Sequence, residues 1–137
     1  MNIKDFLNEL NDEVAVIHDA NFKINITDTN STPTDSDTSF SFENIDERYK
    51  NVKTIETCVL YVDIRKSTKL NLQHHPETMA KLYSSYIRGM ITAAEQCNGK
   101  VRNIVGDRIM VVFDCSNCFV ESVNTAVLMH TVSKMII

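Results

Sequence analysis

The chain reads as an α+β domain, on three features of its 137 residues. An apolar run from Thr57 to Val62 has the length of a strand. A stripe of apolar residues at helical spacing follows, from Met79 to Ala94. Two more apolar runs, Val101 to Val105 and Ile109 to Phe113, then bracket Gly106-Asp107, a tight-turn signal that joins two strands as a hairpin.

Taken in order, residues 1–20 form an amphipathic helix, with Ile3, Phe6, Leu7, Leu10, Val14 and Ile17 at helical spacing. Its apolar face serves packing or dimer contact. Residues 21–50 change character: Thr, Ser, Asp and Asn dominate and Pro33 sits among them. Such a stretch buries little apolar surface, so it reads as a polar flexible linker or lid, with Phe40 and Phe42 able to dock when a ligand arrives. Residues 51–137 make the main domain. Thr57 to Val62 is almost wholly apolar, which suits a strand covered on both faces. Ser67 or Thr68 caps a short helix after it.

Pro76 opens a longer helix whose stripe is Met79, Leu82, Tyr83, Tyr86, Ile87, Met90, Ile91 and Ala94, a core face that Asn98-Gly99 terminates. Gly106 supplies the positive φ that the hairpin turn needs. Ser116 or Asn117 caps a last helix with Phe119, Val123, Ala126, Val127 and His130 on one face, His130 being a core-edge residue. The apolar end Met135-Ile136-Ile137, without a capping signal, suggests that the domain continues beyond it. Strand, short helix, long helix, hairpin and helix (βααββα) are the front portion of a split βαβ, ferredoxin-like layout that lacks its later strands.

Composition excludes several functions. The formal net charge is -4 and the sequence pI about 5.5, which argues against a general nucleic-acid binder. No apolar run reaches the length of a membrane span, and the N-terminus lacks the layout of a signal peptide. The four cysteines therefore read as reduced thiols in a cytoplasm. Cys115-Ser116-Asn117-Cys118 has metal-like spacing, but no second Cys or His pair matches it, so it reads as a coincidental pair at a strand end. With only three glycines, the chain has no Gly-x-x-x-x-Gly-Lys run of a P-loop kinase or ATPase.

The chemistry gathers at two aspartates. Asp63 ends the first strand and Asp107 sits at the hairpin tip, and a carboxylate so placed is costly unless something positive meets it. If the hairpin pairs beside the first strand, both tips emerge at one edge of the sheet. Two carboxylates there suit two Mg²⁺ or Mn²⁺ ions, with the Ile64 carbonyl as a further hard oxygen ligand. Such a metal pair serves in-line displacement at phosphorus. Arg65-Lys66-Ser67-Thr68 follows at a helix start that favours phosphate, and Arg65 and Lys66 add charge. The plainer alternative is that Asp63 caps a helix and Asp107 fills a turn.

The same two segments resemble the catalytic domain of class III nucleotide cyclases, the adenylate and guanylate cyclase family. Leu60-Tyr61-Val62-Asp63-Ile64-Arg65-Lys66-Ser67-Thr68 matches its first motif, in the version with Ser before Thr. Gly106-Asp107-Arg108-Ile109-Met110-Val111-Val112-Phe113 matches its Gly-Asp hairpin with Met-x-x-Phe. The resemblance covers about residues 56–135. It implies that Asp63 and Asp107 bind both metal ions, that Ile64 gives a carbonyl to one, and that Ile64 to Thr68 hold the triphosphate. The implied reaction is attack of the ribose 3′-oxygen on the α-phosphorus, releasing pyrophosphate and a 3′,5′-cyclic nucleotide. It also implies a head-to-tail homodimer with shared sites, whose transition-state Asn and Arg would lie beyond Ile137.

Where adenylate cyclases usually carry Lys and guanylate cyclases Glu, four positions before the hairpin aspartate, this chain has Asn103. An amide offers both donor and acceptor and suits a pyrimidine edge. With the short Asp-Ile-x-x-Ser-Thr motif and the polar lid, the chain looks like the bacterial pyrimidine cyclases of the Pycsar anti-phage system. That resemblance implies a cyclic CMP or cyclic UMP product, CTP being preferred to UTP as substrate, which activates a separate effector. The alternatives are an adenylate or guanylate cyclase in ordinary signalling, and an inactive cyclase-homology module for dimerisation or nucleotide binding. The Gly-Gly-Asp-Glu-Phe loop of diguanylate cyclases is absent, since Val105 and Arg108 flank Gly106-Asp107.

Overall fold

A computed structural model, which describes residues 2–33 and 49–136, shows a mixed α+β chain. It divides into two compact units, Met1–Thr29 with Pro33–Ile55 and Asn30–Thr32 with Glu56–Ile137. Phe40 and Phe42 lie outside the described residues. No helix among the described residues is long and apolar enough to cross a membrane.

The first unit holds helix α1 (Ile3–His18) and strands β1 (Lys23–Asp28) and β2 (Tyr49–Thr54). Asn2 caps α1, its side chain accepting from the Lys4 N–H at 3.1 Å. No residue of α1 is buried. β1 and β2 pair in parallel over six rungs, from Lys23 opposite Tyr49 to Asp28 opposite Thr54. Asn25 donates to Asn51 at 3.1 Å, and the Thr54 hydroxyl donates to the Asp28 carboxylate. Lys23–Asp28 is thus a paired strand inside the stretch 21–50 that reads as a polar flexible linker or lid, of which 34–48 lie outside the described residues. Its Ile24 and Ile26 alternate with Lys23, Asn25 and Thr27, a strand period that the polar composition of the surrounding stretch masks.

The second unit runs β3 (Val59–Val62), α2 (Ser67–Gln73), α3 (Pro76–Gln96), β4 (Lys100–Val105), β5 (Arg108–Val112) and α4 (Cys118–Ile136). Its antiparallel sheet has the order β3-β5-β4. The central strand β5 carries the core: Ile109 and Val111 are fully buried, as is Phe113 just beyond it. They pack with Tyr86, Met90, Ala93 and Ala94 of α3 and Cys118 and Met129 of α4. Truncating a side chain as enclosed as Phe113 to Ala costs about 3–5 kcal/mol, so this cluster fixes where β5 and its turn sit.

β3 lies at the sheet edge and is covered on one face only. Leu60 and Val62 pack on the core, whereas Val59 and Tyr61 are 46% and 59% exposed. The expected two-sided burial fails because an unbroken apolar run does not reveal which neighbours the strand will have.

The long helix matches its apolar stripe: Met79, Tyr86, Met90 and Ala94 are buried, and Leu82, Tyr83, Ile87 and Ile91 half-buried. Asn98 ends it in the left-handed region at φ 60, and the Gly99 N–H donates to the Ala94 carbonyl at 2.9 Å. A Cβ on Gly99 would stand 2.6 Å from Val111 and 2.9 Å from Phe113. The turn residue is therefore also the point where the helix end touches the sheet.

α4 departs from expectation. Cys118, Thr125 and Met129 point inward, while Phe119, Val123 and Val127 are 71%, 62% and 61% exposed, and Ala126 and His130 are exposed as well. Apolar residues occur nearly all round this helix, so periodicity picks out no single face. Its start also differs: Ser116 and Asn117 lie in a 3₁₀ turn, Cys115–Asn117, ahead of the helix. Asp114 precedes that turn and accepts instead from Lys100 at 2.7 Å and from the Thr32 N–H and hydroxyl at 2.7 and 3.0 Å.

Candidate active site

Register brings the two aspartates together. Val62 lies opposite Ile109, so Asp63, one residue on, falls beside Arg108, one residue before Ile109. Arg108 Nη2 stands 3.3 Å from Asp63 Oδ2, an exposed ion pair. Val105 lies opposite Arg108, leaving Gly106-Asp107 as a two-residue loop. Gly106 has φ +64 and Asp107 does not share the positive φ, which is the type II′ hairpin pattern. Nothing lies within 4 Å of a Cβ placed on Gly106, so glycine is required there for its backbone angle and not for room.

The Asp107 carboxylate is held from several directions. The Ile64 N–H donates to Asp107 Oδ2 at 3.2 Å. Burial alone would raise this carboxyl, but the interactions with Asp63, with its own backbone, with the Ser67 side chain and with the Ile64 N–H outweigh it. The net effect lowers Asp107 below the ordinary carboxyl range. Asp63 and Asp107 thus lie near each other at one end of the sheet. Two carboxylates that close need a proton or a cation between them. It is the N–H of Ile64, rather than its carbonyl, that touches Asp107.

Ser67 and Thr68 are the first residues of α2, and neither caps it. The N-cap is Lys66, in the left-handed region at φ 61 and ψ 32. For a residue with a Cβ that conformation costs roughly 1–2 kcal/mol, strain set two residues from Ile64. Arg65 and Lys66 are both exposed beside Asp63.

Asn103 sits on β4, opposite Met110, after a register irregularity between Val101 and Asn103. Met110 also faces Tyr61 across the sheet, and the Tyr61 hydroxyl donates to its sulfur at 3.2 Å. Asn103, Met110 and Tyr61 therefore share one sheet face, opposite the face that Ile109 and Val111 turn to the helices.

One functional candidate was hidden in the helical stripe. Tyr86 is 4% exposed and its hydroxyl has no hydrogen-bond partner among the described residues. Burial first, then the negative charge of Asp63 and Asp107, pushes its pKa from 10.0 to about 12. The ring lines a cavity of about 390 Å³ together with Leu60, Val62, Asp63, Arg65 and His130. The only sequence signal was a phenol among aliphatic neighbours. No protein-family model matches the chain, and no curated protein matches it either.

Proposed function

We propose that this chain carries the metal-binding half of a class III-type nucleotide cyclase, as the ferredoxin-like βααββα front portion of that domain. Its reaction converts a pyrimidine nucleoside triphosphate, CTP ahead of UTP, to the 3′,5′-cyclic nucleotide and pyrophosphate. The product then acts on a separate effector in anti-phage defence. The observation that supports this reading best is the convergence of Asp63 and Asp107 at one end of the sheet.

The donor set fits Mg²⁺ or Mn²⁺. Hard oxygen ligands in close pairs suit these ions, which usually take one or two carboxylates and complete their shell with substrate phosphates. Among the described residues there is no group of three or more His, Cys, Asp or Glu that could hold a metal ion. Asp63, Asp107 and the Ile64 carbonyl would hold the ions. When bound, two such ions supply positive charge at the α-phosphorus and at the attacking and leaving oxygens.

The chain's own residues prepare that place. The Ile64 N–H and the Ser67 hydroxyl keep the Asp107 carboxylate ionised and oriented. Arg65, Lys66 and Thr68 attract and position the triphosphate, and Asn103 offers its amide to the base. A partner subunit in a homodimer supplies the remaining base contacts.

The Arg108–Asp63 ion pair favours a second reading, an inactive cyclase-homology module in which the guanidinium occupies the place of a cation. Incubation with each of the four nucleoside triphosphates and Mn²⁺, with products identified by mass, separates the two. A cyclic pyrimidine nucleotide supports the first reading. Cyclic AMP or GMP as the main product refutes the pyrimidine assignment and keeps the cyclase. Nucleotide binding without any cyclic product, in full-length protein that carries the transition-state Asn and Arg, supports the inactive module. Asn103→Ala is expected to erode base preference more than metal-dependent turnover, since unpaired hydrogen-bonding groups discriminate by about 1–3 kcal/mol each.

A further inference from the structure

Helix α1 has no buried residue and packs on no other helix or strand among the described residues. Most of a helix's stability in a protein comes from packing its apolar face, yet the face of α1 lies open. Ile3, Leu7, Leu10, Val14 and Ile17 follow one another in steps of four, three, four and three residues. All five are between 42% and 75% exposed. Their spacing is the alternation of a and d positions in a heptad, with Leu7 and Val14 at a and Ile3, Leu10 and Ile17 at d. The polar residues obey the same register. Asp5, Asn8, Glu9 and Asp12 fall at b, c and f, away from the seam, so their charges do not meet across a pair of such helices. Glu13 at g and His18 at e flank it.

We propose that α1 pairs with α1 of a second copy of this chain as a short parallel coiled coil, with the five-residue stripe as its seam. Charge fixes the direction. In a parallel pair each g residue faces the following e residue of the other helix, so Glu13 meets His18 of the second copy, a carboxylate against an N–H donor. The two-fold symmetry of the pair makes that contact twice. Antiparallel pairing sets e against e and g against g. It would bring Lys4 up to His18, two donors with no acceptor between them, and Glu13 up to the ring of Phe6. The pairing does not rest on the nucleotide chemistry, since α1 belongs to the first compact unit and Asp63 and Asp107 to the second.

The test places Ile3→Cys and Ile17→Cys, both at d, separately in the full chain. Each variant is oxidised with copper phenanthroline, digested without reductant and mapped by mass spectrometry. A disulfide joining two copies is expected at position 3 in one variant and at position 17 in the other. Asp12→Cys, on the outer face, should give none, and adding Leu10→Asp to Ile17→Cys should abolish its link. Light scattering across a dilution series of the unmodified chain should show the dimer mass at its concentrated end. Four results would each overturn the pairing: a monomer throughout, links from Asp12→Cys as abundant as those from Ile17→Cys, a link between position 3 of one copy and position 17 of the other when the variants are mixed, or a dimer with no link at either position. The last is the result expected if other parts of the chain alone join the copies. Links at positions 3 and 17 in a protein that makes no cyclic nucleotide would uphold the pairing and count against the cyclase.

Discussion

Tyr86→Phe should stabilise the protein while removing a group that faces the candidate site. The phenol is 4% exposed, its hydroxyl finds no partner among the described residues, and the Phe ring keeps the packing against Met90. A buried hydroxyl without a partner loses its water hydrogen bonds on folding, a penalty of about 1–3 kcal/mol. For a domain of this size each kcal/mol moves Tm by roughly 4–8 °C. Urea titration of both proteins at pH 7 measures the gain. The alkaline limb gives a second reading of the same group. Tyr86 has a pKa of about 12 in the fold against 10.0 when free. Its contribution to stability is fully present below pH 10 and fades as pH rises through the folded value. At about 1.4 kcal/mol per unit, the wild type should lose up to about 3 kcal/mol across that window that the variant does not lose. A variant less stable than wild type by more than about 1 kcal/mol would show that the hydroxyl has a native partner. The reasoning from an orphaned group would then fail.

Three further outcomes follow. Asp63→Ala or Asp107→Ala should abolish cyclic-nucleotide formation and leave the far-ultraviolet circular dichroism unchanged, because each carboxylate is held by hydrogen bonds and ion pairs at the sheet end, outside the buried cluster; near-normal turnover in either would remove that aspartate from the site. Gly99→Ala should cost about 1–3 kcal/mol in chemical denaturation, since its Cβ would press on Val111 and Phe113 at 2.6 and 2.9 Å; a neutral result would mean that the helix end moves freely on the sheet. Asp114 is held below the ordinary carboxyl value by Lys100 first and then Thr32, so its stabilisation is present above the unfolded value near 3.8 and is lost as pH falls through the folded one. Asp114→Asn should therefore flatten that acid limb, and an unchanged pH profile would count against the Lys100 contact.

How far the fold was legible depended on whether a pattern had one physical meaning. The Met79–Ala94 stripe did, because i, i+3 and i+4 spacing over many turns can bury only as a helix. Gly106-Asp107 did too, because two residues between strands demand a positive φ. α4 did not: with apolar side chains nearly all round, tertiary packing chose Cys118, Thr125 and Met129 over Phe119, Val123 and Val127. Lys23–Asp28 was obscured for a different reason. Its alternation is short, its Ile24 and Ile26 stay exposed, and its partner strand begins beyond an intervening polar stretch. The exposure and the distant partner are not local to the sequence window that would have to reveal the strand.

The site divides along the same line. Asp63 and Asp107 were legible because each ends or tips a strand, and two antiparallel pairings through one central strand leave little freedom in where those ends fall. Once Val62 pairs with Ile109 and Val105 with Arg108, the carboxylates meet. What the pattern could not supply is the shell around them. Arg108 reaches Asp63 because the same register that aligns the aspartates aligns their neighbours. Ser67 acts on Asp107 from the first turn of α2, next to Lys66, whose left-handed conformation no propensity favours for lysine. Tyr86 comes from a helix read entirely as core, and its hydroxyl matters only after packing has closed over it. The strain at Lys66 and the orphaned hydroxyl at Tyr86 flank the paired carboxylates. Features that oppose folding are tolerated where the surrounding structure holds them in place, and they gather at functional sites. These two costs, independent of any motif, therefore point to the same end of the sheet as the aspartates do.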